Sequence, residues 1–211
     1  MSELLFNELP RPTFRWLRVN HTVSSLAGED TAVQSIAVEA NKDILSPLPV
    51  GTALLDGNYE GANKEAVHVL VEKAEGYAIN VPPKAKEVVG IRIDANARVA
   101  NRFQFIVGEG AELEVQFYVT GSGDALTNVS YLNEYDVKEA GKVVVKKVNL
   151  LPEHVQHIEH RYTKLEEKAD VEYINIEIGG SENILNYYHD LVGQESRMVH
   201  DIAYLLSLIH I

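Results

Sequence analysis

The chain of 211 residues contains no cysteine. This absence excludes disulfide bonds, cysteine-ligated zinc or iron–sulfur clusters and a thiol nucleophile within the sequence. Positive charge is also scarce, because 19 lysines and arginines stand against 31 aspartates and glutamates, a formal net charge of −12. Such a surface repels phosphate backbones and anionic lipid, so we expect neither a nucleic-acid nor a membrane partner.

Long hydrophobic runs are missing as well, and none approaches the length of a membrane span. The first residues, Met1 to Leu5, lack the basic and apolar segments of a signal peptide, so we expect a cytoplasmic protein. With seven prolines, 14 glycines and 45% hydrophobic residues, the composition is that of a globular domain rather than a disordered chain. The length suffices for a core without metal or disulfide staples.

Residues 1–65 are predicted to form a small mixed helix and loop region. Leu5 and Leu9 share one helical face, and Pro10 would end that helix. We expect Trp16, the only tryptophan, to anchor this segment on the main body.

From residue 66 onward the sequence has the character of β-strands. Val67–Val71 and Val88–Ile93 are rich in β-branched residues and are predicted to be strands. A repeated unit then follows, in which a small residue precedes an alternating apolar strand. The small residues, spaced 26, 30, 28 and 27 positions apart, are Ala85, Ala111, Gly141, Ala169 and Ser196.

Strands and turns repeated at this spacing are typical of a solenoid, with the small residue in a tight corner. A β-propeller would use longer units, and a β-sandwich would show Asn-Gly or Asp-Gly hairpin turns, which are scarce here. The sequence therefore predicts an all-β protein in which the mixed region precedes a right-handed parallel β-helix over residues 66–205.

The repeated unit resembles a known family. Asn101–Val115 is similar to the repeated hydrophobic-x-x-Gly-Ala-x-hydrophobic coil of the SufB/SufD proteins of the SUF iron–sulfur cluster assembly system. Leu165–Gly180 and the following Asp190-Leu191 resemble further coils of the same kind. Leu9–Asn20 is similar to the opening of short SufD-like proteins, and the resemblance runs through most of residues 4–205.

This resemblance implies a scaffold subunit that is not an enzyme. In the family, SufB and SufD pair through the far ends of their β-helices, and the SufC ABC ATPase binds a helical region after the β-helix. The absence of cysteine favours the SufD-like branch. The partners implied are a SufB-type subunit, or a second copy of the chain, and a SufC-type ATPase; homodimer and heterodimer remain open.

The end of the sequence, residues 206–211, looks like the in-frame translation of a sequencing-library adapter. We therefore expect that a C-terminal part of the native protein, including the ATPase-binding region, is missing. The cysteine of SufB and the histidine of SufD that handle the cluster lie in that far half. No catalytic, cofactor-binding or metal-binding residue is thus assigned; no cofactor is expected on this fragment, and an iron–sulfur cluster is implied only for the full complex.

A group of histidines, His154, His157 and His160, surrounds Glu159. On a strand His154 and His160 would share one face while His157 and Glu159 share the other, and the helical zinc motif needs a spacing of four. We therefore expect surface histidines at a coil corner rather than a metal site. The remaining candidates are expected to be exposed or satisfied core residues of strands: His68, His189 and His200.

Acidic residues recur at equivalent coil positions and predict a solvated stripe along the solenoid. They are Glu109, Glu112, Glu114, Glu139, Glu166 and Glu167. Because some β-helical proteins use clustered carboxylates on glycans, a carbohydrate-active enzyme is the alternative function. A surface adhesin is a third, but it would need an export signal.

Overall fold

The computed structural model describes residues 3–6, 22–25, 36–55, 59, 64–96, 98–122 and 127–205. In these ranges the chain forms strands with a single short helix among them. In chain order the elements are β1 (Glu3–Phe6), β2 (Thr22–Ser25), β3 (Ile36–Glu39), β4 (Leu45–Leu48), α1 (Lys64–Lys73), β5 (Gly76–Val81), β6 (Lys86–Asp94), β7 (Val99–Val107), β8 (Glu112–Thr120), β9 (Thr127–Val137), β10 (Lys142–Leu151), β11 (Val155–Leu165), β12 (Asp170–Gly179), β13 (Glu182–Leu191) and β14 (Arg197–Leu205).

Successive strands from β5 onward alternate between two six-stranded sheets. Sheet 1 has the order β14-β12-β10-β8-β6-β3, and sheet 2 has the order β13-β11-β9-β7-β5-β4. Each strand pairs in parallel with the strand two places further along the chain, so that Glu112 lies beside Lys142 and Lys142 beside Asp170. The molecule is a β-solenoid of about four turns, as predicted; the right-handed sense of the coil stays a prediction.

The five small residues predicted to occupy corners each lie immediately before a strand of sheet 1. The amide of Ala111 donates to the carbonyl of Gly108 at 3.0 Å, closing a four-residue turn, and the amides of Ala85, Gly141 and Ala169 do the same at their corners. At the last corner the hydroxyl of Ser196 donates to the carbonyl of Gly193 at 2.8 Å. The left-handed residue is the one before the small residue, with φ of 61° at Gly110 and 54° at Ala140. This φ pattern is that of a type II turn. The corners thus lie where the small residues predicted them, and the residue with positive φ precedes each small residue.

Three predictions for the N-terminal part need correction. Val67–Val71 belongs to helix α1 rather than to a strand, because Val67 and Val71, one turn apart, are buried together. Leu5 lies in β1, which pairs antiparallel with β2, and not in a helix. Leu9, Pro10 and Trp16 lie outside the described residues. Strands β3 and β4 also fall in the stretch predicted as helix and loop, and they pair antiparallel with β6 and β5.

Helix α1 covers the outer face of sheet 2, and a buried carboxylate lies beneath the segment that leads into it. Glu134 accepts hydrogen bonds from Gln104 Nε2 at 2.8 Å, from the amide of Leu54 at 3.3 Å and from the hydroxyl of Tyr59. Arg102 lies 3.3 Å from the same carboxylate and donates to the carbonyl oxygen of Val71 near the end of the helix. This network ties α1 and its approach to the outer face of the sheet.

Candidate functional site

The interior of the solenoid changes from apolar to polar along its axis. In sheet 2 the stack that contains Tyr77 and Phe103 continues with Asn133, Arg161 and Tyr187. In sheet 1 two neighbouring stacks change in the same way, and their members are Phe117, Lys147 and Asn175, and Val119, Asn149 and Glu177. The first turns therefore have a hydrophobic core, whereas the later turns enclose charged groups.

Four of these groups form what we call the interior charge cluster: Lys147, Glu159, Arg161 and Glu177. Each is at most 3% exposed. Lys147 Nζ lies 2.5 Å from Glu159 Oε2 and 2.5 Å from Glu177 Oε1, so one ammonium bridges a carboxylate of each sheet. Arg161 Nη2 lies 2.5 Å from the other oxygen of Glu159. Two cations thus face two carboxylates in a space closed to solvent.

The two carboxylates of the cluster have different proton affinities. Burial favours a raised pKa at Glu159, but the charges of Arg161 and Lys147 outweigh it and hold the pKa well below its usual value. Burial and the nearby charge of Glu159 raise the pKa of Glu177. Two carboxyl groups whose surroundings shift their pKa values in opposite directions are the usual arrangement for proton transfer. In this cluster Glu177 is the carboxylate that would bind a proton.

Arg161 lies between two aromatic rings. Its guanidinium carbon is 4.2 Å from the ring centre of Tyr173 and 4.3 Å from that of Tyr187, a double cation–π arrangement. Its Nη1 has no hydrogen-bond partner among the described residues, and neither do Asn133 Oδ1 and Asn175 Oδ1. Buried polar atoms without a protein partner normally bind water or a ligand, so this end of the interior is suited to small polar species.

Two of the three histidines around Glu159 are buried inside the protein. The prediction that these histidines lie on the surface was therefore wrong for those two. His157 and His160 are both 0% exposed, because β11 has the solenoid interior on one face and the covered outer face of sheet 2 on the other. His154 lies half-buried in the turn before β11. As expected from strand geometry, His157 shares the face of Glu159 and His160 does not.

His157 is part of the interior network as a neutral imidazole. Its Nε2 lies 3.0 Å from the hydroxyl of Tyr131, and its Nδ1 lies 3.1 Å from Asn149 Nδ2 and 3.2 Å from Asn183 Oδ1. Burial and the charge of Lys147 lower its pKa to about 3. Burial lowers the pKa of His160 to about 4.

The other histidines differ from the prediction in part. His68 lies on α1 rather than on a strand, and its ring is 5.8 Å from that of Tyr59. His189 and His200 are strand residues that point into the far end of the interior, where both rings pack on Tyr173. Burial lowers the pKa of each to about 4.

The recurrent carboxylates lie on the outside as predicted, and several have basic neighbours. Glu112 lies 2.8 Å from Lys86 and Glu166 lies 2.9 Å from Lys138. Within the described ranges, no group of three or more histidine, aspartate or glutamate side chains could hold a metal ion. The same ranges contain no helix that is long and apolar enough to cross a bilayer.

Sequence reasoning did not find the interior charge cluster, although one signal was available. In β10, strict alternation places Lys147 on the same side as Val143 and Val145, which are the core residues of that strand. A lysine on the apolar side of a strand must meet a buried acid. The identity of that acid, Glu159 across the interior, depends on how the two sheets face each other.

Comparison with protein families gives one match. Residues 91–208 match the family described as SUF system FeS cluster assembly, SufBD core domain. The match spans 118 of the 211 residues and includes the whole interior charge cluster. No curated protein and no solved structure gave a significant match.

Proposed function

From the premise that this chain belongs to the SufBD core family of SUF iron–sulfur cluster assembly, we propose that it is a SufD-like scaffold subunit. It would act by forming a complex with a SufB-type subunit and a SufC-type ATPase in the cytoplasm, and it would catalyse no reaction itself. The observation that carries the proposal is the coil-by-coil β-solenoid over the region that matches the family.

The absence of cysteine supports the SufD-like branch. The sequence contains no thiolate to ligate an iron–sulfur cluster, and its described residues contain no other metal-binding group. The residues of the given sequence would therefore contribute no thiolate ligand to a cluster assembled in such a complex. The cluster is the cargo of the assembly in this proposal and not a resident cofactor of this chain.

ATP-driven closure of two ATPase subunits would change how two solenoids meet and expose the place where the cluster is built. Parallel sheets paired along their whole length make the solenoid a stiff body. A stiff body can transmit a displacement from the ATPase to a subunit interface without deforming. This is the mechanical role that we propose for the fold.

The test is coexpression of the protein from its complete gene with the SufC-type ATPase and the SufB-type subunit of the same organism. We expect all three to copurify as one complex whose mass identifies its composition, and an ABC ATPase from an unrelated transporter to remain unbound. A complete protein that binds neither partner would contradict the proposal.

The outer carboxylates give no support to the alternative function of a glycan-cleaving enzyme. Depolymerisation of a glycan by the purified protein would be the evidence for that alternative.

A further inference from the structure

Gly90, in the middle of β6, has no requirement for glycine within the chain itself. Its neighbours Val89 and Ile91 are buried in the core, so Gly90 belongs to the outer face of sheet 1. Its φ is not positive, and an added Cβ would meet its nearest atom, Glu39 Cβ, at an ordinary distance of 3.6 Å. Every other glycine in the described ranges has a positive φ or a Cβ position 3.1 Å or less from a neighbouring atom.

A glycine inside a strand weakens the strand, and it often marks a place where a ligand or another backbone approaches closely. At Gly90 a second backbone cannot pair with the strand, because β6 lies between β3 and β8 and has no open edge there. The missing side chain therefore provides a floor on which a small molecule can lie.

A groove of about 350 Å³ lies over this glycine. Its volume is at the lower end of the range for small-molecule pockets, roughly 300–1,000 Å³. The main side chains around it are Ala37, Glu39, Arg92, Gln116, Tyr118 and Lys146. Because residues 37, 39 and 90 precede the region that matches the SufBD core domain, the groove is formed jointly by that region and the segment before it.

One acidic and one basic side chain of the groove are available to a ligand. Glu39 Oε2 is 3.8 Å from the position of a Cβ on Gly90, so the carboxylate lies close to the floor. The guanidinium carbon of Arg92 is 5.9 Å from the ring centre of Tyr118, which places the cation along one wall. Neither the Glu39 nor the Arg92 side chain has a hydrogen bond or an ion pair among the described residues.

We propose that this groove binds a free amino acid as its zwitterion. Arg92 would donate two parallel hydrogen bonds to the carboxylate of the ligand, and Glu39 would accept hydrogen bonds from its ammonium group. The hydrocarbon part of the ligand would lie on the backbone of Gly90 and against the ring of Tyr118. The inference does not depend on the proposed SUF function.

Other small ligands would satisfy fewer of these groups. A phosphate dianion would be repelled by Glu39, and Lys146 would not compensate for this because it is already paired with Glu114 at 2.9 Å. A cation without a carboxylate would leave Arg92 beside it without a partner. A neutral sugar would pair with neither charge.

Calorimetric titration of the protein with each of the common L-amino acids tests the proposal. We expect at least one to bind with a dissociation constant of about 1 mM or lower. The N-acetyl derivative of that amino acid lacks the ammonium group and its amide lacks the carboxylate, so each should bind about tenfold more weakly or worse. Absence of binding up to about 10 mM, or equal binding of either derivative, would overturn the inference.

Gly90→Val tests whether the glycine serves the ligand. The new side chain would fill the floor of the groove and weaken binding about tenfold or more, while the midpoint of thermal unfolding should stay equal or rise, because valine suits a strand with this φ. The matched control is Ala203→Val, which enlarges a residue on the same face of sheet 1 outside the groove and should bind normally. Unchanged binding by Gly90→Val would show that the ligand does not lie on this glycine.

Two charge variants test the roles of the polar side chains separately. Arg92→Gln and Glu39→Gln should each weaken binding about tenfold or more, since each removes one of the two charge pairs with the ligand. Lys84→Gln is the control, because Lys84 is exposed at a corner outside the groove. If Arg92→Gln or Glu39→Gln bound the amino acid as tightly as Lys84→Gln, the site assigned here would be wrong.

Discussion

Lys147 Nζ lies 2.5 Å from Glu159 Oε2, although the two side chains project from different sheets and meet across the solenoid interior. The same ammonium contacts Glu177, so a single lysine touches both buried carboxylates while Arg161 supplies the second cation beside Glu159. Charged side chains buried in this way are stable only when all of their partners are present, because each opposite charge offsets the free-energy cost of desolvating the others. The cluster thus makes the later turns of the solenoid sensitive to the loss of any one member.

Replacing Lys147 by methionine should lower the free energy of unfolding by about 3–5 kcal/mol, because Glu177 would remain buried without its cation and Glu159 would keep only Arg161. Urea unfolding followed by circular dichroism measures this loss. The matched control is Lys146→Met, since Lys146 is the next residue of the same strand and its side chain is half exposed beside Glu114. That change should cost no more than about 1 kcal/mol. Similar losses in both variants would contradict the buried role of Lys147.

The positions at which successive coils begin could be predicted from the sequence, because every turn of the solenoid has a small residue at the same corner. Ala111, Gly141 and Ala169 mark the corners, and the strands begin at the next residue in each case. A Cβ on Gly141 would lie 2.9 Å from the carbonyl oxygen of Lys138, so the space at that corner is limited. The resemblance to the SufB/SufD coil, first seen in this repeat, was confirmed at the level of the family.

Two features depended on tertiary contacts and could not be predicted in the same way. Val67–Val71 has the composition of a strand, but its burial against the outer face of sheet 2 selects a helix, and such packing routinely outweighs propensity. Lys147 and Glu159 meet only because β10 and β11 belong to facing sheets. Alternation indicates which residues point inward, but not which inward residues meet.

Lowering the pH from about 7 to 5 should destabilise the fold through its buried histidines. The pKa of His157 is about 3 in the folded protein, below the value of about 6.5 in an unfolded chain. The unfolded state therefore binds a proton that the folded state does not, and the loss by pH 5 is on the order of 2 kcal/mol per fully buried histidine. Glu177 acts in the opposite direction, because its pKa is raised in the folded state. Urea unfolding at a series of pH values measures the combined effect of the buried histidines and Glu177 on the free energy of unfolding.

His157→Gln isolates the histidine contribution to this pH dependence. The variant should unfold at lower urea concentration at pH 7, yet its stability should fall less steeply toward pH 5 than that of the unmodified protein. Identical slopes for the two proteins would show that His157 does not remain neutral in the fold.

Glu134→Ala should release helix α1 from the outer face of sheet 2. Arg102 would be left buried without its carboxylate partner, and Tyr59 would lose its acceptor, so we expect a cost of about 3–5 kcal/mol. Hydrogen exchange should rise over Lys64–Lys73 more than over the central strands. Tyr59→Phe removes one hydrogen bond from the same carboxylate and should cost only about 1 kcal/mol. Uniform exchange along the chain in Glu134→Ala would show that the carboxylate does not anchor the helix.

The corners allow stabilisation and destabilisation by opposite changes at equivalent positions. Ala140 and Gly110 both occupy the left-handed region, with φ of 54° and 61°. Ala140→Gly removes the strain of an L-residue there and, after the entropy that glycine gains in the unfolded chain, should stabilise the protein by roughly 0.5 kcal/mol. Gly110→Ala should destabilise it by a similar net amount, roughly 0.5 kcal/mol, after the unfolded-chain entropy that alanine removes is counted. The nearest atom to the new Cβ, Lys84 Cγ, is at an ordinary contact distance of 3.7 Å and adds no clash. Thermal unfolding that shifts in the same direction for both variants would show that factors other than φ determine residue choice at these corners.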